Sequence, residues 1–156
     1  SLIQPILAKH VSVPILTSPL IMVPVIHQMM PPDQSVAIVV ASKKLLTAEY
    51  FEAIGADITD RIVVVGLDDA PVFNSFCMGG KETGYDIERF REEICQIVED
   101  ALAKHPDIGA IMLECTSLPP FAADVRDRTG LPVYDFIACV EWMHRAVVPK
   151  RYQGFI

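Results

Sequence analysis

The chain has 156 residues, 51% of them hydrophobic and 21% charged, with a formal net charge of −7 at pH 7. That composition fills a core and excludes disorder. The only paired basic residues are Lys43-Lys44 and Lys150-Arg151, which excludes a nucleic-acid surface. Mean hydropathy is +0.35, yet the best candidate for a membrane span, Val11 to Met30, is broken by Pro14, Pro19, Pro24, His27 and Gln28. Strands buried on both faces explain the hydropathy better than a span of about 20 apolar residues.

The elements follow in chain order. Leu2, Ile3, Ile6 and Leu7 have helical spacing, so residues 1–10 read as the end of a helix. Val13 to Leu16 reads as a short strand, and Thr17-Ser18-Pro19 caps an apolar helix from Leu20 to Met30. Pro31-Pro32 breaks it. Val36 to Val40 is a buried strand; Thr47 opens a helix that Gly55 closes. Ile62 to Val65 is the next strand. Residues 67–84, with Phe73, Phe76, Cys77, Gly79 and Gly80, read as a long loop. Met78-Gly79-Gly80-Lys81 fits neither phosphate-binding glycine pattern and reads as a flexible turn. Asp86 to His105 is the clearest helix, Ile108 to Leu113 a strand, and Pro119 to Arg128 a helix closed by Gly130. Val133-Tyr134 and Ile137 to Val147 give a last strand and helix.

Strands alternating with helices predict an α/β fold: a flavodoxin-like parallel sheet of four strands ordered 2-1-3-4, flanked by helices. Residues 35–135 form the complete domain. Residues 1–34 read as the remainder of a second, similar domain, and residues 136–156 as a helix and tail packing back on it. The pattern at Ser1 is already helical, which predicts a truncated or proteolysed product of a longer chain.

Ligands bind at the carboxyl ends of strands in such sheets. Three ends carry small polar groups: Thr17-Ser18, Ala41-Ser42 and Cys115-Thr116-Ser117. Cys115 stands out, because the positive end of the helix that follows favours a thiolate there. The amides of Thr116 and Ser117 would face a carboxylate, and a thiolate beside it suits proton abstraction. Cys95 and Cys139 fall within helices and read as small core residues. Glu114 precedes Cys115 in a strand, so its side chain points to the opposite face and is no partner for the thiol. No Cys or His spacing suits a metal, and the four cysteines read as reduced thiols of a cytoplasmic protein.

Gly109-Ala-Ile-Met-Leu-Glu-Cys115-Thr-Ser-Leu-Pro-Pro120, followed by Thr129-Gly-Leu-Pro-Val-Tyr-Asp135, resembles the second-domain cysteine motif of the aspartate/glutamate racemase family. Val13 to Ser18 and Val36 to Ser42 resemble flanking strands of that family. The resemblance implies a cofactor-independent isomerase with two facing α/β domains, each giving one cysteine that moves a proton at the carbon beside a carboxylate. Cys115 would then be the second-domain acid/base and Thr116 a contact to the substrate carboxylate. Ser42, Thr17 and Ser18 match cleft positions. Ser117 stands where family members carry His or Glu, and no cysteine occupies the first-domain position. The expected partners are a small carboxylate or amino-acid substrate, and either a second copy or the missing N-terminal segment; neither nucleic acid nor membrane is expected. The alternatives are a catalytically inactive relative and a flavodoxin-like module holding a small anion.

Overall fold

The structure, a computed structural model, describes residues 1–56, 61–79 and 86–154. Four parallel strands form one sheet in the order β2-β1-β3-β4: β1 Ser35–Val40, β2 Ile62–Gly66, β3 Ile108–Leu113 and β4 Val133–Asp135. Val36 pairs with Ile62 on one side of β1 and with Ala110 on the other, and Met112 of β3 pairs with Tyr134. The predicted sheet and its order are therefore correct.

Alternation along the strands divides the apolar side chains between two cores. Ala37, Val39, Ile111 and Leu113 face one side, where they meet α5 (Ile87–Lys104) and α6 (Ala122–Thr129) through Phe90, Ile94, Val98 and Val125. Val36, Ile38, Val40, Ala110 and Met112 face the other. There they meet Leu20, Val23 and Ile26, the last two on α2 (Val23–Met29), and Phe51 on α3 (Ala48–Glu52). Asp86 caps α5 by accepting from the Arg89 amide at 3.1 Å. Arg128 ties α6 to α5 through Glu92 and Glu99, at 2.7 and 2.5 Å. Gly130 ends α6 at φ 73°, a left-handed conformation that lets its amide reach the Arg126 carbonyl.

Several local expectations need correction. Val13 to Leu16 is no strand: it pairs with nothing in the sheet, and a strand exists only through its ladder. The expected loop of residues 67–84 contains a helix, α4 (Pro71–Cys77), opened by Pro71 in its first turn. Phe73 and Phe76 of α4 pack on Phe90, with ring centroids 6.1 and 6.0 Å away. The Gly80-Lys81 half of the expected turn lies outside the described residues. The helix after Ser18 starts as a 3₁₀ turn, Pro19–Met22, before α2. Helix α3 stops at Glu52 rather than running to Gly55, and the Thr47 side chain makes no capping bond.

There are two more helices, α1 (Gln4–His10), tied through Gln4 to the segment before α2, and α7 (Phe136–Val147), which packs beside β4. Large exposed apolar side chains gather on α1, α2, α7 and the segments beside them, among them Ile6, Val13, Met29, Trp142 and Val147. Among the described residues only Leu45 and Met78 are comparable elsewhere. A groove of about 530 Å³ runs between α2 and α7, lined by Met22, Val25 and Met29 on one side and Trp142 and Met143 on the other. No described helix is long and apolar enough to cross a membrane.

Candidate functional site

The winding of the chain defines one crevice. From β1 it moves to β2 on one side, then crosses back to β3 on the other. The carboxyl ends of β1 and β3 therefore flank the switch point, where open α/β sheets hold ligands. Ser42 follows β1, and Glu114 and Cys115 follow β3. The last ladder bond, from the Glu114 amide to the Val39 carbonyl at 2.9 Å, fixes the two ends against each other.

Here the strand alternation continues for two residues beyond β3. Glu114 lines a cavity of about 250 Å³ with Ser42, Leu45, Leu46 and Tyr50, on the α3 side. Cys115 leaves on the opposite side, half-buried against the α5 and α6 core. The Leu118 amide bonds the Cys115 carbonyl at 3.0 Å, which closes a tight turn before the 3₁₀ residues Pro119–Phe121. That amide is thus committed to the backbone. Thr116 is exposed on the turn and Ser117 is half-buried.

The other expected polar positions have defined local partners. Ser18 is buried, caps the 3₁₀ turn through the Leu20 amide at 3.2 Å, and donates to Glu114 Oε1 at 3.3 Å. Ser42 Oγ donates to Asp68 Oδ1 at 2.5 Å, and the Lys43 amide donates to Asp68 Oδ2 at 2.8 Å. These two bonds hold the Asp68 carboxyl below its ordinary range. Thr17 turns away: its amide and hydroxyl both reach Gln4 Oε1, at 3.0 and 2.9 Å, and Gln4 Nε2 donates to the Ile15 carbonyl. Its bonds fasten α1 to the segment before α2. The structure thus brings Ser18, Ser42 and Glu114 to one side of the switch point and Cys115 to its edge.

Glu114 is the residue that sequence reasoning passed over. Its direction, opposite to Cys115, is as the alternation predicts; what the alternation could not reveal is the cavity on that face. Burial pushes its carboxyl above the ordinary value, against the lowering pull of the Ser18 hydroxyl. Burial also pushes the thiols up at Cys139, to about 11, and at Cys95. Both are core cysteines. Among the described residues no group of three or more His, Cys, Asp or Glu side chains is placed to hold a metal ion.

Fold and crevice together define a doubly wound α/β protein with a thiol and a carboxyl on either side of one strand end. The chain is 34% identical over 143 residues to a dimethylsulfoniopropionate lyase of Durusdinium sp. clade D, an alignment covering 89% of this chain and 46% of that protein. It is also 34% identical over 146 residues to dimethylsulfoniopropionate lyase 6 of Emiliania huxleyi (strain CCMP1516), covering 88% of this chain and 37% of the relative. Dimethylsulfoniopropionate lyase 5 of the same organism is 29% identical over 120 residues. The chain thus spans less than half the length of these curated relatives. No family model matches it.

These relatives correct the expectation of an aspartate/glutamate racemase and of isomerase chemistry: they carry the name of a lyase. The physical reason lies in what a Cys-Thr turn encodes. It specifies a thiol at a strand-to-helix junction, and that geometry serves any reaction opened by proton removal beside a carboxylate.

Proposed function

We propose that this chain forms part of a lyase acting on dimethylsulfoniopropionate or a close analogue. The observation that carries the reading is the 34% identity to a dimethylsulfoniopropionate lyase across 89% of the chain. The Cys115 thiolate is the base. It takes a proton from the carbon next to the carboxylate, and the C–H electron pair becomes the new C=C bond. The neighbouring C–S bond breaks, and dimethyl sulfide leaves with that bond's electron pair. Acrylate remains, and the Cys115 thiol returns its proton to water. Removal of one proton needs one base, so a single thiol meets the demand of an elimination. In this reading Thr116 and Ser117, on the turn beside the thiol, contact the substrate carboxylate, and Ser18 and Ser42 shape the opposite side.

The test is dimethyl sulfide release into headspace from dimethylsulfoniopropionate, measured by gas chromatography. We expect release by the protein and a loss of about a hundredfold or more in Cys115→Ser, since a hydroxyl is no base near neutral pH. Absence of release, or release untouched by that substitution, overturns the reading.

A further inference from the structure

We propose that the cavity lined by Ser42, Tyr50 and Glu114 takes the cationic end of a zwitterionic carboxylate, with the Glu114 carboxylate as its counter-charge. The inference deepens the lyase reading and rests on it for the identity of the cation, a dialkylsulfonium. Such a group has no N–H or O–H, so a protein cannot hold it by hydrogen bonds. Recognition must come from opposite charge, from an aromatic ring and from apolar walls around the methyl groups.

The cavity offers those three features. Leu45 and Leu46 supply apolar wall, Tyr50 an aromatic ring, and Glu114 a carboxylate. Glu114 is held at both ends: its amide bonds Val39, and Oε1 accepts from Ser18. Among the described residues Oε2 accepts no hydrogen bond, so one carboxylate oxygen is free to face a ligand. Burial that opposes ionisation of the empty site would be offset by a bound cation. Asp68 adds a second negative charge behind Ser42, and Lys44 is the cation beside Asp68. Because Glu114 and Cys115 are consecutive, a small molecule crossing the end of β3 presents its cation to one residue and its acidic C–H to the other.

The experiment is calorimetric titration of the protein with two carboxylates of equal shape. One is 3-(trimethylammonio)propanoate, whose cationic tail is a poor leaving group; the other is 4,4-dimethylpentanoate, its uncharged isostere. We expect the cation to bind at least about tenfold more tightly. The preference should fall below about twofold in Glu114→Gln, decrease in Tyr50→Leu, and persist in Cys115→Ala. Circular dichroism confirms that each variant is folded, and the near-isosteric Gln keeps the test open if Tyr50→Leu fails to fold. Equal affinity for the two probes, no binding of either, or a preference that survives Glu114→Gln overturns the inference. The two readings fail separately. Dimethyl sulfide release without any charge preference sinks the cation site alone; a charge preference without release sinks the lyase reading alone.

Discussion

Ser18 Oγ donates to Glu114 Oε1 at 3.3 Å, joining positions 96 apart in the chain. The bond fastens the segment before α2 to the end of β3. Replacing Ser18 by Ala removes it and also leaves the Leu20 amide uncapped, at a cost of about 1 kcal/mol. Urea denaturation followed by circular dichroism measures this; an unchanged midpoint would contradict a structural role for the hydroxyl.

Glu114 itself should make stability depend on pH. Its carboxyl is raised above 4.5 in the fold, chiefly by burial. The folded state therefore binds this proton more tightly than the unfolded chain does. The stability it contributes is present below the ordinary value and lost as pH rises through the raised one. Glu114→Gln should flatten that slope and make the protein more stable at neutral pH, while abolishing charge discrimination. Denaturation midpoints of the two proteins across mildly acidic to neutral pH decide it: parallel curves would show that the carboxyl is solvated.

His27 acts in the opposite sense. Burial lowers it from 6.5, helped by the Arg61 charge, while a hydrogen bond to the Arg61 carbonyl at 3.2 Å pulls the other way. With a base whose folded value is depressed, the unfolded chain takes up the extra proton. Stability is present above 6.5 and lost as pH falls through it toward the folded value. The His27 ring proton, followed by NMR, should titrate with a midpoint below 6.5; a midpoint above it would mean that the hydrogen bond to the Arg61 carbonyl outweighs burial.

Gly66 ends β2 where a side chain has no room. A Cβ there would meet the Asp68 carboxylate and lie 2.7 Å from Lys43 Cβ. Gly66→Ala should therefore push Asp68 off Ser42 and the Lys43 amide, costing roughly 1–3 kcal/mol. Thermal unfolding gives the cost. Unchanged stability would show that the loop after β1 yields freely.

Trp142, the single tryptophan, is 60% exposed beside the groove between α2 and α7. An apolar face of this extent should find a partner, and in a solution of this chain alone the expected partner is a second copy. Light scattering should show a dimer, with tryptophan emission shifting to the blue as concentration rises. Trp142→Lys with Val25→Lys should return it to monomer. A wild-type chain that stays monomeric at high concentration would sink this expectation.

The sheet was legible because β1 and β2 are apolar runs rich in β-branched residues, β3 is an apolar run, and helical segments separate each from the next. The Val13 to Leu16 run looks the same locally but is unpaired, and nothing within four residues records whether a neighbour exists. Helix α4 was hidden by the opposite effect: Phe73, Phe76 and Cys77 have helical spacing, but the adjacent Gly79-Gly80 pair signals a loop. At the site, strand alternation correctly sent Glu114 away from Cys115. It could not say that this face holds a cavity, because the cavity walls come from Leu45, Leu46 and Tyr50, far off in sequence. The racemase resemblance misled, since a Cys-Thr turn after a strand specifies where a thiol sits and not which reaction a protein performs.

The two cores lie on opposite sides of one sheet, and a single step along the chain, from Glu114 to Cys115, passes from one to the other. The packing that supports the thiol, from Leu113 through Phe121 and Val125, shares no buried side chain with the packing that supports the carboxyl, from Val40 through Phe51 and Leu20. Substitutions in the two layers therefore act as independent increments. On the proposed reading, a lineage carrying this fold can drift in the residues beneath Tyr50, and with them in the molecule the cavity would accept, while the scaffold under the Cys115 sulfur is inherited intact.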